Sequence, residues 1–143
     1  MTLDESVWLP KYWFVLTTIA CQYPNKPNDV TKKKYYELIQ NLPLFMPEGD
    51  VSNHFLKLLD KYPVTPYLDD RASFMKWSHF IQNKVNASMG YEEKTTADAM
   101  QEYYDQYKPR ELLMREVIEQ RTRYLFLAFL GTLALGGIYL YKK

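Results

Sequence analysis

The sequence predicts an all-α protein, a four- or five-helix bundle followed by a C-terminal transmembrane helix. Three observations support this fold class. Apolar residues recur at spacings of three and four, with no β-type alternation, and prolines and glycines separate these stretches. The third observation is an uncharged run of residues from Tyr124 to Tyr141. As a helix, that run would span about 27 Å, close to the hydrocarbon core of a bilayer.

The first two helices are predicted from capping and proline signals. The first runs from about Trp8 to Gln22, with Pro10 in its first turn, where the missing N–H of proline costs no hydrogen bond. Two prolines downstream end it. A second helix begins at Asn28 or Asp29, either of which can cap it, and extends to about Gln40.

The third and fourth helices form the middle of the bundle. Asp50 or Ser52 can cap the third helix. Asp69 and Asp70 stand at the start of the fourth, where acidic side chains favour the helix dipole, and Gly90 ends it. Its apolar positions follow helical spacing, at Phe74, Trp77, Ile81, Val85 and Met89.

A short helix over residues 96–106 and a long one from about Arg110 complete the pattern. We therefore predict three parts: a helical head over residues 1–109, a helical stalk over residues 110–123, and a transmembrane helix over residues 124–141. Tyrosines near both ends of this last segment are typical of the aromatic belts of membrane helices. The lipid bilayer is thus a predicted partner.

Composition excludes several function classes. The formal net charge is +1 and no basic stripe is present, so nucleic acid is not a predicted partner. The single cysteine, Cys21, cannot form an internal disulfide or run a dithiol relay. Two histidines without nearby cysteines predict no metal site. The acidic N-terminus does not look like a signal peptide, so the head is expected to face the cytosol or a capsid.

Three segments of the head have the order and spacing of known motifs. They are Trp8-x4-Trp13-x2-Leu16 with Tyr23-Pro24, then Leu44-Phe45-Met46-Pro47, and finally Trp77-x4-Gln82-Asn83-x-Val85-Asn86-x2-Met89-Gly90. On these segments, over about residues 8–109, the chain resembles the Erv/ALR family of FAD-dependent sulfhydryl oxidases. The resemblance implies flavin contacts at Trp13, Asn83 and Asn86. It also implies a homodimer, because the related enzymes dimerise.

The chain departs from this family at the positions that carry its redox chemistry. Where the family has C-x-x-C after the proline, this chain has Glu48, Gly49, Asp50 and Val51. Thiol oxidation needs a thiolate that attacks a disulfide and a second thiol, and none of these side chains supplies either. The sequence therefore predicts that the chain is not an enzyme.

Three further departures bear on the cofactor. Leu9 replaces a glycine, and Thr17 and Gln82 replace two histidines of the resembled motifs. Leucine adds bulk, and loss of the imidazoles removes stacking and hydrogen bonds for the adenine and ribose. We therefore predict no bound cofactor, with FAD kept only for the alternative function below. In the absence of FAD, Trp13, Asn83 and Asn86 would be ordinary bundle residues.

These observations lead to one main hypothesis and two alternatives. The main hypothesis is a non-catalytic, membrane-anchored structural protein that keeps the family's shape. By family analogy it would be a viral minor capsid protein linking the capsid shell to the inner membrane of the virion. The first alternative is an FAD-binding flavoprotein or a helper subunit of a sulfhydryl oxidase. The second is a cellular tail-anchored adaptor.

Overall fold

The computed structural model describes residues 3–141, with the side chains of residues 113, 116 and 135–141 left out of the description. Six α-helices account for most of this part of the chain, and it contains no β-strand. They are α1 (Glu5–Cys21), α2 (Asp29–Asn41), α3 (Asp50–Lys61), α4 (Arg71–Ser88), α5 (Thr96–Asp105) and α6 (Arg110–Tyr141). The all-α prediction is confirmed.

Helix α1 begins earlier than predicted because Asp4 caps it. The Asp4 carboxylate accepts a hydrogen bond from the backbone N–H of Ser6 at 2.9 Å, which satisfies one of the free donors of the first turn. Pro10 consequently lies inside the helix rather than in its first turn. Asn28 caps α2 as predicted, by accepting from the N–H of Thr31 at 2.8 Å.

The two central helices differ in how they begin. Gly49 is the N-cap of α3 and makes no side-chain cap, so neither Asp50 nor Ser52 has the predicted capping role. Asp70 caps α4 by accepting from the backbone N–H and the hydroxyl of Ser73, both at 2.8 Å. Gly90, with φ of 81°, follows the end of α4, in a conformation that glycine adopts without strain.

The core of the bundle lies where α1 packs against α4, with α3 also packed against α4. Its side chains are almost wholly apolar and come from these helices and the turns between them. Aromatic rings on different helices pack edge to face, such as Trp13 on α1 against Phe55 on α3 at 5.9 Å between ring centroids. The largest fully buried side chains are Trp77, Tyr23, Phe55, Phe74, Leu9 and Leu16.

The chain divides into two compact units, Met1–Tyr103 and Tyr104–Lys143. Unit 1 contains α1 to α4, most of α5 and the core described above. Unit 2 is dominated by α6, whose 32 residues correspond to about 48 Å of helix. The predicted division into head, stalk and terminal segment stays a prediction.

The predicted membrane anchor is not supported. Side chains are described for residues 124–134 of the predicted span. The rest of the predicted span, residues 135–141, lies outside the described side chains. Over the described residues, no helix has both the length and the apolar character to cross a bilayer. This contradicts the predicted single-pass membrane localisation, and the bilayer is not supported as a partner.

Candidate functional site

Two of the three residues singled out by resemblance meet in the structure. The indole Nε1 of Trp13, on α1, donates a hydrogen bond to Oδ1 of Asn86, on α4, at 2.8 Å. Trp13 is 8% exposed and Asn86 is half-buried, so the bond bridges the two helices at the edge of the core. The pair therefore links α1 to α4 through their side chains.

Asn83 lies one turn earlier on α4 and holds the loop that follows this helix. Its Nδ2 donates to the backbone carbonyl of Lys94 at 2.8 Å, and its Oδ1 accepts from the N–H of the same residue at 3.2 Å. His79 Nε2 lies 2.9 Å from the Lys94 carbonyl, to which it donates in the tautomer protonated at that nitrogen. Asn83 thus ties the loop to α4, a role the sequence did not predict.

The loop carries ion pairs next to this tie. Lys84 Nζ lies 2.6 Å from a carboxylate oxygen of Glu93, and Lys94 Nζ lies 2.6 Å from one of Glu102. The hydrogen bond to Glu93 raises the pKa of Lys84 above its ordinary value. No signal in the sequence linked Lys94 to Asn83, because the two residues belong to different predicted segments.

The three positions that depart from the motifs have different environments. Leu9 is 2% exposed and belongs to the core, so packing accommodates its bulk. Thr17 and Gln82 face each other across α1 and α4, with Gln82 Nε2 donating to the Thr17 hydroxyl at 3.3 Å and to Ser78 Oγ at 3.1 Å. The two residues that replace the histidines thus form a hydrogen bond with each other.

Trp8 contributes a polar atom that the sequence analysis did not identify. Its indole Nε1 is buried and finds no acceptor among the described residues. Its ring packs edge-on against Tyr12, at 5.4 Å between centroids. A buried donor without an acceptor costs roughly 1–3 kcal/mol, so such an atom is expected to have a partner when the protein works.

The positions of the missing cysteine pair lie at the start of α3. Glu48 is exposed, whereas Val51 is 4% exposed and packs in the core. Cys21 ends α1 and is partly buried, and this burial raises the pKa of its thiol, with Arg71 acting in the opposite direction. Among the residues that the structure describes, no group of three or more His, Cys, Asp or Glu could hold a metal ion.

Comparison with known proteins identifies the family. The profile of the Erv1 / Alr family matches residues 10–108. The chain belongs to the Erv1/Alr family. It is 29% identical to the FAD-linked sulfhydryl oxidase ERV2 of Saccharomyces cerevisiae, over 64% of this chain and 45% of that protein. It is 33% identical to the FAD-linked sulfhydryl oxidase ERV1 of Arabidopsis thaliana, over 54% of this chain and 40% of that protein.

A solved structure shares the fold. The structure titled FAD binding domain of Erv1 from Saccharomyces cerevisiae superposes with a TM-score of 0.64 at 19% identity. The match covers 73% of this chain and 97% of that one. The Erv/ALR-like bundle is therefore confirmed, while the chain spans less than half the length of the two curated relatives.

These comparisons overturn the predicted function. The relatives are named FAD-linked sulfhydryl oxidases, which contradicts a non-catalytic structural protein, the absence of enzyme activity and the absence of a cofactor. The viral capsid role and capsid partners have no support, and the tail-anchored adaptor loses the anchor on which it depended. The error came from counting sulfurs. Loss of a dithiol removes one redox centre, but it does not by itself exclude a bound cofactor.

Proposed function

We propose that unit 1 binds FAD and that the chain is a flavin-linked oxidoreductase of the sulfhydryl oxidase type. The observation that carries the proposal is the hydrogen bond from Trp13 to Asn86, which brings together two of the three residues implied by the resemblance. In this proposal Trp13, Asn83 and Asn86 hold the cofactor. Membership of the Erv1/Alr family and the names of the relatives support it.

The residues present are compatible with this cofactor. Trp8 offers a buried indole N–H with no acceptor among the described residues, and FAD carries many oxygen and nitrogen acceptors. Leu9, the bulkiest departure from the motifs, is packed in the core. Thr17 and Gln82 keep hydrogen-bonding groups where the motifs have histidines.

The chain's own residues would bind and orient the cofactor but cannot supply the thiols. FAD, when bound, supplies a two-electron acceptor for a dithiol. The only cysteine, Cys21, has no partner thiol in the chain, and the motif positions hold Glu48 and Val51. The proposal therefore assigns both thiols to another protein, whose two cysteines would lose two electrons and two protons as they form a disulfide, with bound FAD as the acceptor.

The test is FAD uptake by the full-length protein. The chain is folded with excess FAD, passed through gel filtration, and examined for a visible flavin spectrum. Trp13→Phe keeps an aromatic ring but removes the N–H that bonds Asn86. We expect about a tenfold weaker FAD affinity for this variant, the value of about one hydrogen bond.

Trp77→Phe is the matched control. It also removes a buried indole N–H, but this one donates to the backbone carbonyl of Tyr62 at 3.0 Å and not to a proposed cofactor residue. Its FAD affinity should equal that of the wild type. A folded wild-type protein that stays colourless would refute the proposal.

A helper subunit is a second candidate, favoured by the missing cysteine pair at positions 48–51. In this role the chain would act only beside a complete sulfhydryl oxidase. Thiol oxidation is measured for the chain alone, for a complete oxidase alone, and for the mixture. A rate for the mixture above the sum of the separate rates supports the helper role, while a simple sum speaks against it.

We also propose that unit 1 forms a homodimer, as the family resemblance implies. Exposed apolar side chains on its surface support this, since such groups favour burial against a second copy. They include Val7 and Val15 on α1 and Leu44 and Phe45 in the turn after α2. Analytical ultracentrifugation of the wild type and of Val15→Asp tests the proposal. A wild type that sediments as a monomer at all concentrations tested would exclude it.

A further inference from the structure

A groove of about 860 Å³ runs along the outer face of α3. The start of α1 forms one wall, and the end of α4 with the turn after it forms the other. The groove lies wholly within unit 1 and contains none of the three proposed FAD residues.

The groove reaches the position where the resembled motifs carry a redox cysteine. Val51 is one of its lining residues and takes the place of the second cysteine of the family's C-x-x-C. Asp50, beside it, lines the same groove. Val51 is 4% exposed and Asp50 is exposed, so a segment bound here would contact Asp50, directly beside the position from which the thiol is missing.

The charge of the groove selects the chemistry of its occupant. Glu5, Asp50 and Asp60 contribute three carboxylates, against the single ammonium of Lys57, giving a formal charge of −2 with histidine neutral. Within the described part of the chain, none of these four side chains takes part in a salt bridge. The chain as a whole is +1, so the groove is locally opposite in sign and complements a basic ligand.

Apolar surface lies among these charges. Leu56 is 39% exposed and Tyr91 is 48% exposed, and both line the groove. A mixture of apolar contacts and unpaired carboxylates suits a peptide segment better than a small anion or a nucleic acid, whose phosphates the carboxylates would repel.

We propose that this groove binds an extended, basic, cysteine-bearing segment of a partner protein. The inference rests on the proposed function and names its substrate class: a protein dithiol flanked by lysine or arginine. The carboxylates attract the basic flanks, Leu56 and Tyr91 contact an apolar side chain, and the bound cysteines lie near Val51.

Fluorescence anisotropy of the full-length protein tests this binding. The probe is a fluorescein-labelled ten-residue peptide with two lysines, one leucine and serines in place of cysteines. Its partner peptide has glutamates in place of the lysines. We expect the basic peptide to bind and the acidic one to bind at least about tenfold more weakly, with the difference shrinking at high salt.

Variants assign the binding to the groove. Asp50→Asn combined with Asp60→Asn should weaken binding of the basic peptide by about threefold to tenfold, from two partly screened charges. Asp29→Asn combined with Glu37→Gln is the charge control, since it also removes two acidic charges, both on α2, where Glu37 is paired with Lys33 and Lys34. Equal losses in the two double variants would overturn the assignment.

Disulfide trapping gives a second measurement that leaves the carboxylates in place. Asn53→Cys puts a thiol in the groove, and Asn41→Cys puts one at the exposed end of α2, both in a Cys21→Ser background. A peptide whose cysteine carries a thiopyridyl group reacts when the protein thiolate attacks its disulfide and pyridinethione leaves. The basic peptide should react faster than the acidic one at Asn53→Cys alone, and equal preference at both sites contradicts the proposal.

The outcomes separate this inference from the proposed function. FAD uptake without charge-selective peptide binding overturns only the groove. Charge-selective binding by a protein that never takes up FAD overturns the proposed function and the substrate role with it. Flavin uptake together with selective binding supports both.

Discussion

The two buried tryptophans of neighbouring helices occupy different kinds of site. Trp77 is 2% exposed and gives its indole N–H to the backbone carbonyl of Tyr62, at the C-cap of α3. Trp13 is 8% exposed and gives its indole N–H to the side chain of Asn86. Trp77 therefore bonds the backbone at the end of α3, whereas Trp13 links α1 to α4 through a side-chain amide that can rotate.

This difference distinguishes a core aromatic from one that can receive a ligand. The Tyr62 carbonyl belongs to the backbone at the end of α3, so it can change its orientation only if the chain there moves. A side-chain amide can exchange one partner for another at a net cost of about 1 kcal/mol. The proposed FAD site uses this difference, since it includes Trp13 and Asn86 and leaves Trp77 in the core.

The largest expected effect comes from removing the core tryptophan. Trp77→Ala should lower the free energy of unfolding by about 3–5 kcal/mol, because it leaves a cavity beside Phe74, which stacks on the indole at 6.2 Å between centroids. Urea denaturation followed by circular dichroism measures it. A loss below about 1 kcal/mol would mean that the ring is not part of the core.

Added FAD should stabilise the wild-type protein, and it should stabilise the variants of the two tryptophans to different extents. At a free concentration of about one hundred times Kd, a ligand that binds only the folded state adds about 2.7 kcal/mol. The same FAD concentration should stabilise Trp77→Phe to the same extent, but Trp13→Phe by only about 1.4 kcal/mol if its Kd is tenfold higher. Thermal melts with and without FAD measure this, and the melt in buffer without FAD gives the baseline.

Replacing each tryptophan with phenylalanine compares the two sites without ligand. Trp77→Phe leaves the partly buried carbonyl of Tyr62 without its donor and should cost about 1–3 kcal/mol. Trp13→Phe should cost less, since the half-buried amide of Asn86 can turn toward water. Denaturation midpoints of the two variants give the order, and the reverse order would remove the distinction.

The smallest effect concerns the start of α4, the helix that carries both Trp77 and Asn86. Hydrogen bonds from the Ser73 backbone N–H and hydroxyl hold the pKa of Asp70 below its ordinary value. Because the folded-state pKa is lowered, the carboxylate contributes stability at neutral pH that is lost as the pH falls below about 4. In Asp70→Asn this part of the acid dependence should disappear, as pH-dependent melts of variant and wild type would reveal.

Local patterns predicted most of unit 1. The helices follow from apolar spacing, and Asn28, Asp70 and Gly90 have the roles that their residue types favour. The first-turn assignment of Pro10 failed because the capping of α1 by Asp4, a stronger signal, lies upstream. For α3 the glycine cap was missed, since it uses no side chain.

The candidate site was only partly predictable. The family resemblance named both Trp13 and Asn86 as flavin contacts, and the structure joins the two by a hydrogen bond. The resemblance could not reveal that Asn83 bonds the backbone of Lys94, because a hydrogen bond to a loop leaves no periodic trace in the sequence. The orphaned N–H of Trp8 depends on packing around the indole, which is a property of the folded state alone.

The bond between Asn83 and Lys94 limits how the chain can vary in length. Loops usually tolerate insertions, because their backbone is hydrated and unconstrained. Here Gly90 turns the chain away from α4, and the side chain of Asn83 hydrogen-bonds both backbone groups of Lys94. The number of residues between Asn83 and Lys94 is therefore fixed by these bonds. An added or deleted residue in this loop would break these hydrogen bonds. Relatives that keep the asparagine and its bonds to the loop should therefore keep the loop length as well.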